Sequence, residues 1–335
     1  MKTALCDLFG IEIPIVLAPM VIAVGPRLAA AVCNAGGLGA IPLWRTDIDS
    51  LRGQIREVKS MTDKPFAVNL NLDFPQEERL EACLQERVPV ISFFWGDPGG
   101  LVARAKSGGA IVMQTVASAQ EAQAAIRLGV DVVVAQGWEA GGHVWGTVAT
   151  MALVPAVVDA VSPVPVIAAG GIADGRGLAA ALALGASGAL IGTRFLASNE
   201  ANIHPHYRDR LLKASESDTA YLENLFDLTW PDAPHRTLRN KTVADWEAAG
   251  RPETGRRPGE GEIVASSKSL GEILRYRAYT PGADAEGDIE ALSMWAGQGV
   301  ALVKKLQPAA EIVREIYDEA LDILKRLGDV SGQDP

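Results

Sequence analysis

Three cysteines (Cys6, Cys33, Cys83) and four histidines are all the thiols and imidazoles that 335 residues provide. The cysteines lack metal-ligand spacing, so buried, reduced thiols are expected. His204 and His206 have no cysteine or carboxylate cluster beside them, and no metal site is expected there or elsewhere. Positive charge is also scarce. Lys and Arg number 31 against 41 Asp and Glu, a net charge of −10, which argues against nucleic acid or an anionic membrane as partner. No apolar run reaches the roughly 18 residues that span a bilayer. The opening residues from Met1 to Asp7 show no basic stretch before an apolar core, so a cytoplasmic protein is expected. Missing too are a GxGxxG after an early strand, a GxSxG elbow and a Walker loop. A nicotinamide-binding Rossmann domain is thereby disfavoured.

What is present is a repeated strand-helix rhythm. Apolar runs fall at 15–20, 37–41, 66–71, 88–94, 110–114, 130–136, 164–169 and 189–192. They are continuous rather than alternating, as expected of parallel strands buried on both faces. Helix-like segments lie between several of them. One is 118–128, with Ser118 as cap and Glu121 three residues on. Eight such units predict an α/β fold, a TIM (β/α)8 barrel, in preference to a doubly wound open sheet. From about Ser198 the pattern breaks into turn-rich stretches, notably Trp230-Pro231-Asp232-Ala233-Pro234 and 250–262. Helical periodicity is expected again at 289–306 and from 308 to about 327. Residues 1–197 plus 289–335 are therefore assigned to the barrel. Residues 198–288 are assigned to an irregular insertion, a lid or a dimer contact, which leaves a homodimer open.

Ligands of such barrels sit at the C-terminal ends of the strands. Run seven ends in Gly170-Gly171 and run eight in Gly192-Thr193, where glycine lets backbone N–H groups approach a phosphate. The alternative is tight strand-helix turns. Run six leads into Gln136-Gly137-Trp138-Glu139-Ala140-Gly141-Gly142-His143, a loop that can pass close to a flat ligand while presenting one imidazole. Histidine moves protons near neutral pH, so His143 is the candidate catalytic residue. Glu139 is an acid-base group, a solvated side chain or a helix cap. Asn69 and Gln136 end runs three and six, where their amides could meet a heterocycle edge or satisfy strand-end backbone. Pro19 and Met20 end run one as a flat apolar wall or as core.

These motifs resemble the nitronate monooxygenase family, formerly called 2-nitropropane dioxygenases. The resemblance is carried by Leu17-Ala18-Pro19-Met20, Asn34-Ala35-Gly36-Gly37-Leu38-Gly39, Lys64-Pro65-Phe66-Ala67-Val68-Asn69 and Glu139-Ala140-Gly141-Gly142-His143. It continues through Ala168-Ala169-Gly170-Gly171, Ile191-Gly192-Thr193-Arg194-Phe195 and Trp295-Ala296-Gly297-Gln298-Gly299. The resemblance implies FMN as cofactor, with Met20, Asn69, Gln136, Gly141, Gly171, Gly192 and Thr193 around it and His143 as catalytic residue; Pro19, Gly142 and Gly170 are expected beside it from their places at the barrel mouth. The related FMN-dependent enoyl-acyl-carrier-protein reductases share the Glu-Ala-Gly-Gly-His loop, and flavin-dependent quinone reductases are further relatives.

Two departures bear on substrate. The main nitronate monooxygenase class has a histidine where this chain has Phe94, in Ser92-Phe93-Phe94-Trp95-Gly96. Arg-Gly usually follows the catalytic histidine, whereas Val144-Trp145-Gly146 stands here. Phe94, Trp95, Trp138 and Trp145 are accordingly expected to form an aromatic substrate pocket. The expected activity is oxidation of alkyl nitronates with O2 to a carbonyl compound and nitrite. The alternatives are an NAD(P)H-dependent flavin reductase of an enoyl thioester or quinone, and a non-catalytic flavin-binding barrel.

Overall fold

The computed structural model describes residues 1–330, so the last five positions assigned to the barrel lie outside the described residues. The strands follow the apolar runs: β1 (Ile15–Leu17), β2 (Gly39–Pro42), β3 (Phe66–Asn71), β4 (Val90–Phe94), β5 (Ile111–Val116) and β6 (Val132–Gln136). After a two-residue strand β7 (Gly142–His143) come β8 (Val166–Ala169) and β9 (Gly188–Ile191). Eight of them, all but β7, form one parallel sheet in the order β1-β9-β8-β6-β5-β4-β3-β2. Leu38 closes the ring, donating its N–H to Ile15 O and accepting from Leu17 N, each at 2.9 Å. The barrel reading holds and the open sheet is excluded.

Why the runs are continuously apolar is visible in the side-chain alternation. Val16, Ala40, Ala67, Val90, Met113, Val132, Val134 and Ile167 point inward and pack with one another. Their neighbours Ile15, Leu17, Ile41, Val68, Ile91, Val112, Val133 and Ala168 face outward against the helices. Both faces of each strand are dry, so neither can be polar. Helix α1 (Ala4–Phe9) plugs the N-terminal end with Leu5, Cys6 and Phe9. All three cysteines are buried and unpaired, and burial pushes the Cys83 thiol up to about 12.

Around the sheet lie α2 (Pro26–Asn34), α3 (Ile48–Met61), α4 (Glu77–Gln85), α5 (Gly100–Ser107), α6 (Ala119–Arg127), α7 (Thr150–Val161) and α8 (Gly175–Ala183). Ser118 caps α6 by accepting from Glu121 N at 3.1 Å. A short turn, α9 (Thr193–Leu196), follows β9 and leads out of the barrel. The chain returns with the last helix, labelled α12 (Ala309–Val330), which packs against α8 and α2. There Glu319 accepts from Gly175 N at 2.7 Å. That helix therefore completes the barrel's outer layer.

Between them the chain forms α10 (Pro205–Lys213), β10 (Thr219–Leu222), β11 (His235–Leu238), α11 (Lys241–Ala248), β12 (Ile263–Ser267), β13 (Gly271–Leu274) and β14 (Glu286–Gly287). Strand β11 pairs antiparallel with both β10 and β7, joining this region to the barrel's loop after β6. The expected helix at 289–306 is corrected. Only 3₁₀ turns occur, at Ile289–Ala291 and Gln298–Leu302. The apolar spacing there arises because Ile289, Leu292, Met294, Ala296 and Val300 pack into the core of the inserted region. Met294 O accepts from Leu238 N and Met294 N donates to Thr237 Oγ1, both at the end of β11, so the backbone bonds outward instead of along itself. Among the described residues no helix is long and apolar enough to cross a membrane, and no cluster of His, Cys, Asp and Glu suits a metal. His204 caps α10, its Nδ1 accepting from His206 N at 3.1 Å, and His206 and Arg210 share Glu290, each at 2.5 Å.

Candidate active site

A cavity opens at the C-terminal mouth of the barrel, bounded by the ends of β1, β3, β4, β6, β8 and β9 and by the inserted region. Pro19, Met20, Asn69, Gln136, Gly141, Gly142, His143, Gly170, Gly171, Gly192 and Thr193 all line it, as does Phe94. The glycines form a collar with no side chains. Gly170 and Gly171 are left-handed, with φ of 100° and 72°, a region costly for other residues. Gly141 sits so close to the 296–297 backbone that a Cβ would lie 2.3 Å from Gly297 N. The Thr193 hydroxyl accepts from Gly297 N at 3.0 Å, which leaves its own proton for a ligand oxygen.

His143 is held from the far side of the chain. Its pairing partner across β7–β11 is His235, and its Nδ1 lies 3.3 Å from Ala233 O. A carbonyl can only accept, so Nδ1 carries the proton and Nε2 keeps its lone pair. The imidazole lies 3.8 Å from the Trp230 ring and 5.4 Å from that of Trp295, centroid to centroid. Burial, then His235, then Arg45 hold His143 well below the usual histidine range. It is therefore neutral at physiological pH, with the tilted Trp230 and Trp295 rings beside it.

His235 explains part of this. It is fully buried, its Nδ1 donates to Ala233 O at 2.9 Å, and its Nε2 accepts from Phe226 N at 3.3 Å. Both histidines thus share one carbonyl. Burial brings His235 down to about 4. An unfolded histidine titrates near 6.5, so between those values only the unfolded chain gains a proton, and stability falls as pH falls. Taken alone, His235 should remove about 2 kcal/mol between pH 6.5 and pH 5. Urea unfolding of the wild type and of His235→Gln at both pH values measures this. The variant should lose stability at neutral pH and show a shallower acid decline, and an equal decline in both would assign it to other groups.

The amides at the strand ends turn inward to protein partners. Gln136 donates to His143 O at 3.2 Å and accepts from Trp145 N at 2.9 Å, fastening the loop that carries the imidazole. Asn69 donates to Ser92 O and Oγ, both at 3.3 Å. Asn71, one side chain further along β3, is buried and lines the cavity with no partner for its Nδ2. A buried amide donor without a partner costs about 1–3 kcal/mol unless a ligand satisfies it. Glu139 is a helix cap: its carboxylate accepts from Thr150 N at 2.9 Å and Thr150 Oγ1 at 3.0 Å at the start of α7.

The aromatic pocket differs from expectation. Trp138 lies on the opposite face of the β7–β11 ribbon, under the Arg236 guanidinium at 4.5 Å and beside Tyr221. Trp145 is drawn outward by Glu121, which accepts its indole N–H at 2.8 Å. Trp95, at a left-handed φ of 66°, backs the wall rather than lining it, edge-on to Phe94, His143 and Trp230. The lining aromatics that sequence reasoning missed are Trp44, Tyr207, Trp230, Tyr279 and Trp295. A signal existed for two of them. Trp295 stood in a quoted motif, and Trp230 opened the turn-rich stretch assigned to cover one end.

Comparison with known proteins agrees with this layout. The sequence profile of the nitronate monooxygenase family matches residues 2–78 and 71–319. A protein of Rhodococcus jostii (strain RHA1) is 39% identical, with 98% of each chain covered. It is named (3aS,4S,5R,7aS)-5-hydroxy-7a-methyl-1-oxo-octahydro-1H-indene-4-carboxyl-CoA dehydrogenase. A nitronate monooxygenase of Pseudomonas aeruginosa (strain PAO1) is 34% identical over 93% of this chain and 97% of its own. Among solved structures, FabK from Thermotoga maritima superposes with a TM-score of 0.83 at 36% identity, covering 98% of this chain and 99% of that one.

Proposed function

Because the chain belongs to the nitronate monooxygenase family, whose members are flavin-dependent oxidoreductases, we propose that it is an FMN enzyme that oxidises a bulky, apolar β-hydroxyacyl thioester. The observation that carries this reading is a neutral His143 with Nε2 free, set in a box of Trp230, Trp295 and Phe94. The residues present suit the cofactor. The collar of Gly141, Gly142, Gly170, Gly171 and Gly192 admits a flat ring and a phosphate, with Pro19 and Met20 as wall. Asn71 Nδ2 is a donor awaiting an acceptor. Bound there, FMN would supply two-electron acceptance of a hydride from the carbinol carbon. His143 Nε2 would take the hydroxyl proton, which leaves a ketone.

Phe94 removes the second imidazole that the resemblance associates with nitronates, and the lining around His143 is largely aromatic. An alicyclic acyl group gains apolar contact there at about 25 cal/mol per Å². Support also comes from the Rhodococcus relative, whose name describes a ring bearing neighbouring hydroxyl and carboxyl-CoA groups. Nitronate oxidation with O2 is the second reading, favoured by the Pseudomonas relative.

Anaerobic stopped-flow absorbance of the flavin-loaded protein tests the choice. It is mixed separately with a β-hydroxycycloalkane-carboxyl-CoA, a propyl nitronate, NADH and NADPH. Bleaching by the thioester is expected. Bleaching by the nitronate alone would establish the monooxygenase reading, and by a nicotinamide alone, a reductase.

A further inference from the structure

Three buried donors on the cavity lining have no protein partner among the described residues: Asn71 Nδ2, Trp230 Nε1 and Tyr279 OH. The other buried polar atoms in that state, Gln76 Oε1 and Gln114 Oε1 among them, do not line the cavity. Of the three, Asn71 is the one whose direction the strand fixes. Side chains alternate along a strand, and on β3 Ala67 faces the barrel axis while Val68 and Leu70 face the helices. Asn69 and Asn71 therefore share the axis side, with Asn71 nearer the mouth. Its amide has one orientation, because Asn71 Oδ1 accepts from Asp73 N at 3.0 Å. Nδ2 is then the end without a partner. The turn at Asp73 needs only the side-chain oxygen, which an aspartate would supply equally. An NH2 group at a residue only 1% exposed is a burden that the turn does not explain.

In the closed ring β3 lies four strands from β8 in either direction, so Asn71 stands across the mouth from Gly170 and Gly171. Its own side of the cavity is the aromatic one. Asn71 is in register with Phe94, and Gln76 Nε2 ties Asn71 O at 2.9 Å to Trp44 O at 3.2 Å. Trp44 lies 5.5 Å from Trp230, whose ring is 3.8 Å from that of His143. We propose that Asn71 Nδ2 binds the carbonyl oxygen of the acyl thioester, which makes that carbonyl a requirement for binding. The proposal rests on the thioester reading above and adds its specificity determinant. A carbonyl oxygen can only accept, and in an apolar box a hydrogen bond to it is stronger than in water. In a β-hydroxyacyl group the carbinol carbon is two bonds from the carbonyl carbon. Holding the carbonyl thus confines the hydroxyl to a short arc in which it meets His143 Nε2.

Two ligands without a carbinol carbon on the acyl group test it: cyclohexanecarboxyl-CoA and S-(cyclohexylmethyl)-CoA, which differ only in the carbonyl. Each is titrated by calorimetry into flavin-loaded wild type, Asn71→Asp and Asn71→Leu. Asn71→Asp keeps the oxygen that accepts from Asp73 N and loses the donor. Asn71→Leu removes both at similar size and adds no charge. Wild type should bind the thioester about tenfold or more tightly than the thioether, and each variant should lose that preference. Equal affinity of wild type for the two ligands, binding of neither, or a preference that survives in either variant would overturn the site. Survival in Asn71→Asp alone would leave Asn71 its turn only. A flavin midpoint potential shifted in both variants, with the preference unchanged, would assign Asn71 to the cofactor and likewise overturn the proposal. The reaction is read separately, from flavin bleaching by the β-hydroxyacyl thioester. An Asn71-dependent preference without bleaching would uphold the site and remove the proposed reaction. Bleaching without the preference would do the reverse.

Discussion

His143→Ala should keep its flavin spectrum and lose substrate-driven flavin reduction by about 10²–10⁴-fold, the span typical of a positioned proton acceptor. The expectation follows from how the imidazole is held. Ala233 O fixes the proton on Nδ1, at 3.3 Å, so Nε2 meets the cavity as a lone pair. Because His143 lies well below the usual histidine range, the reductive rate should be flat at neutral pH, and its acid limb should fall below the pH of 6.5 expected of an unperturbed histidine. Glycine loops, not His143, make up most of the collar, so flavin retention separates lost chemistry from lost binding. Stopped-flow reduction of both proteins from pH 5 to pH 8 reads rate and limb together. A variant rate within about threefold of wild type would remove His143 from the chemistry, since even weak general base catalysis exceeds that.

Trp230→Ala should be the most destabilising single change at the site, by about 3–5 kcal/mol. The indole is buried to 4% exposure and stands at the centre of the aromatic cluster, with Trp44 at 5.5 Å, Phe74 at 6.0 Å, Trp95 at 5.0 Å and His143 at 3.8 Å. Those neighbours belong to the barrel loops after β2, β3, β4 and β6, while Trp230 comes from the insertion. Truncation therefore opens a void between two parts of the fold, and the neighbours are too rigid to fill it. Trp230→Phe keeps one ring and should lose much less. Equilibrium urea unfolding of the three proteins measures both steps. A cost under about 1 kcal/mol for the alanine variant would mean that the insertion is not energetically coupled to the barrel.

The barrel was legible in the chain because its cause is local. A strand dry on both faces must be apolar at every position, as 132–135 and 166–169 are, and eight such runs leave few architectures. The glycine pairs at 141–142 and 170–171 and the histidine between β6 and α7 could be read for the same reason, as loop chemistry directly after a strand. The stretch 289–306 misled because its apolar spacing matches a helix, while its backbone bonds to Thr237 and Leu238 instead. The glycine collar, the place of His143 on the loop after β6 and the eightfold strand rhythm were thus determined by sequence alone. What surrounds His143 was decided only by folding. Ala233 lies 90 residues away, and the short β7–β11 pairing that brings it, Trp230 and His235 to the imidazole leaves no period in the sequence. The same pairing turns Arg236, next to His235 on β11, to the ribbon's opposite face, where it holds Trp138, because neighbouring residues of an extended chain point to opposite sides. Side-chain periodicity records which face of an element is buried. It holds no record of which distant segment buries it, and that segment sets the histidine's tautomer, its neutrality and the shape of the pocket.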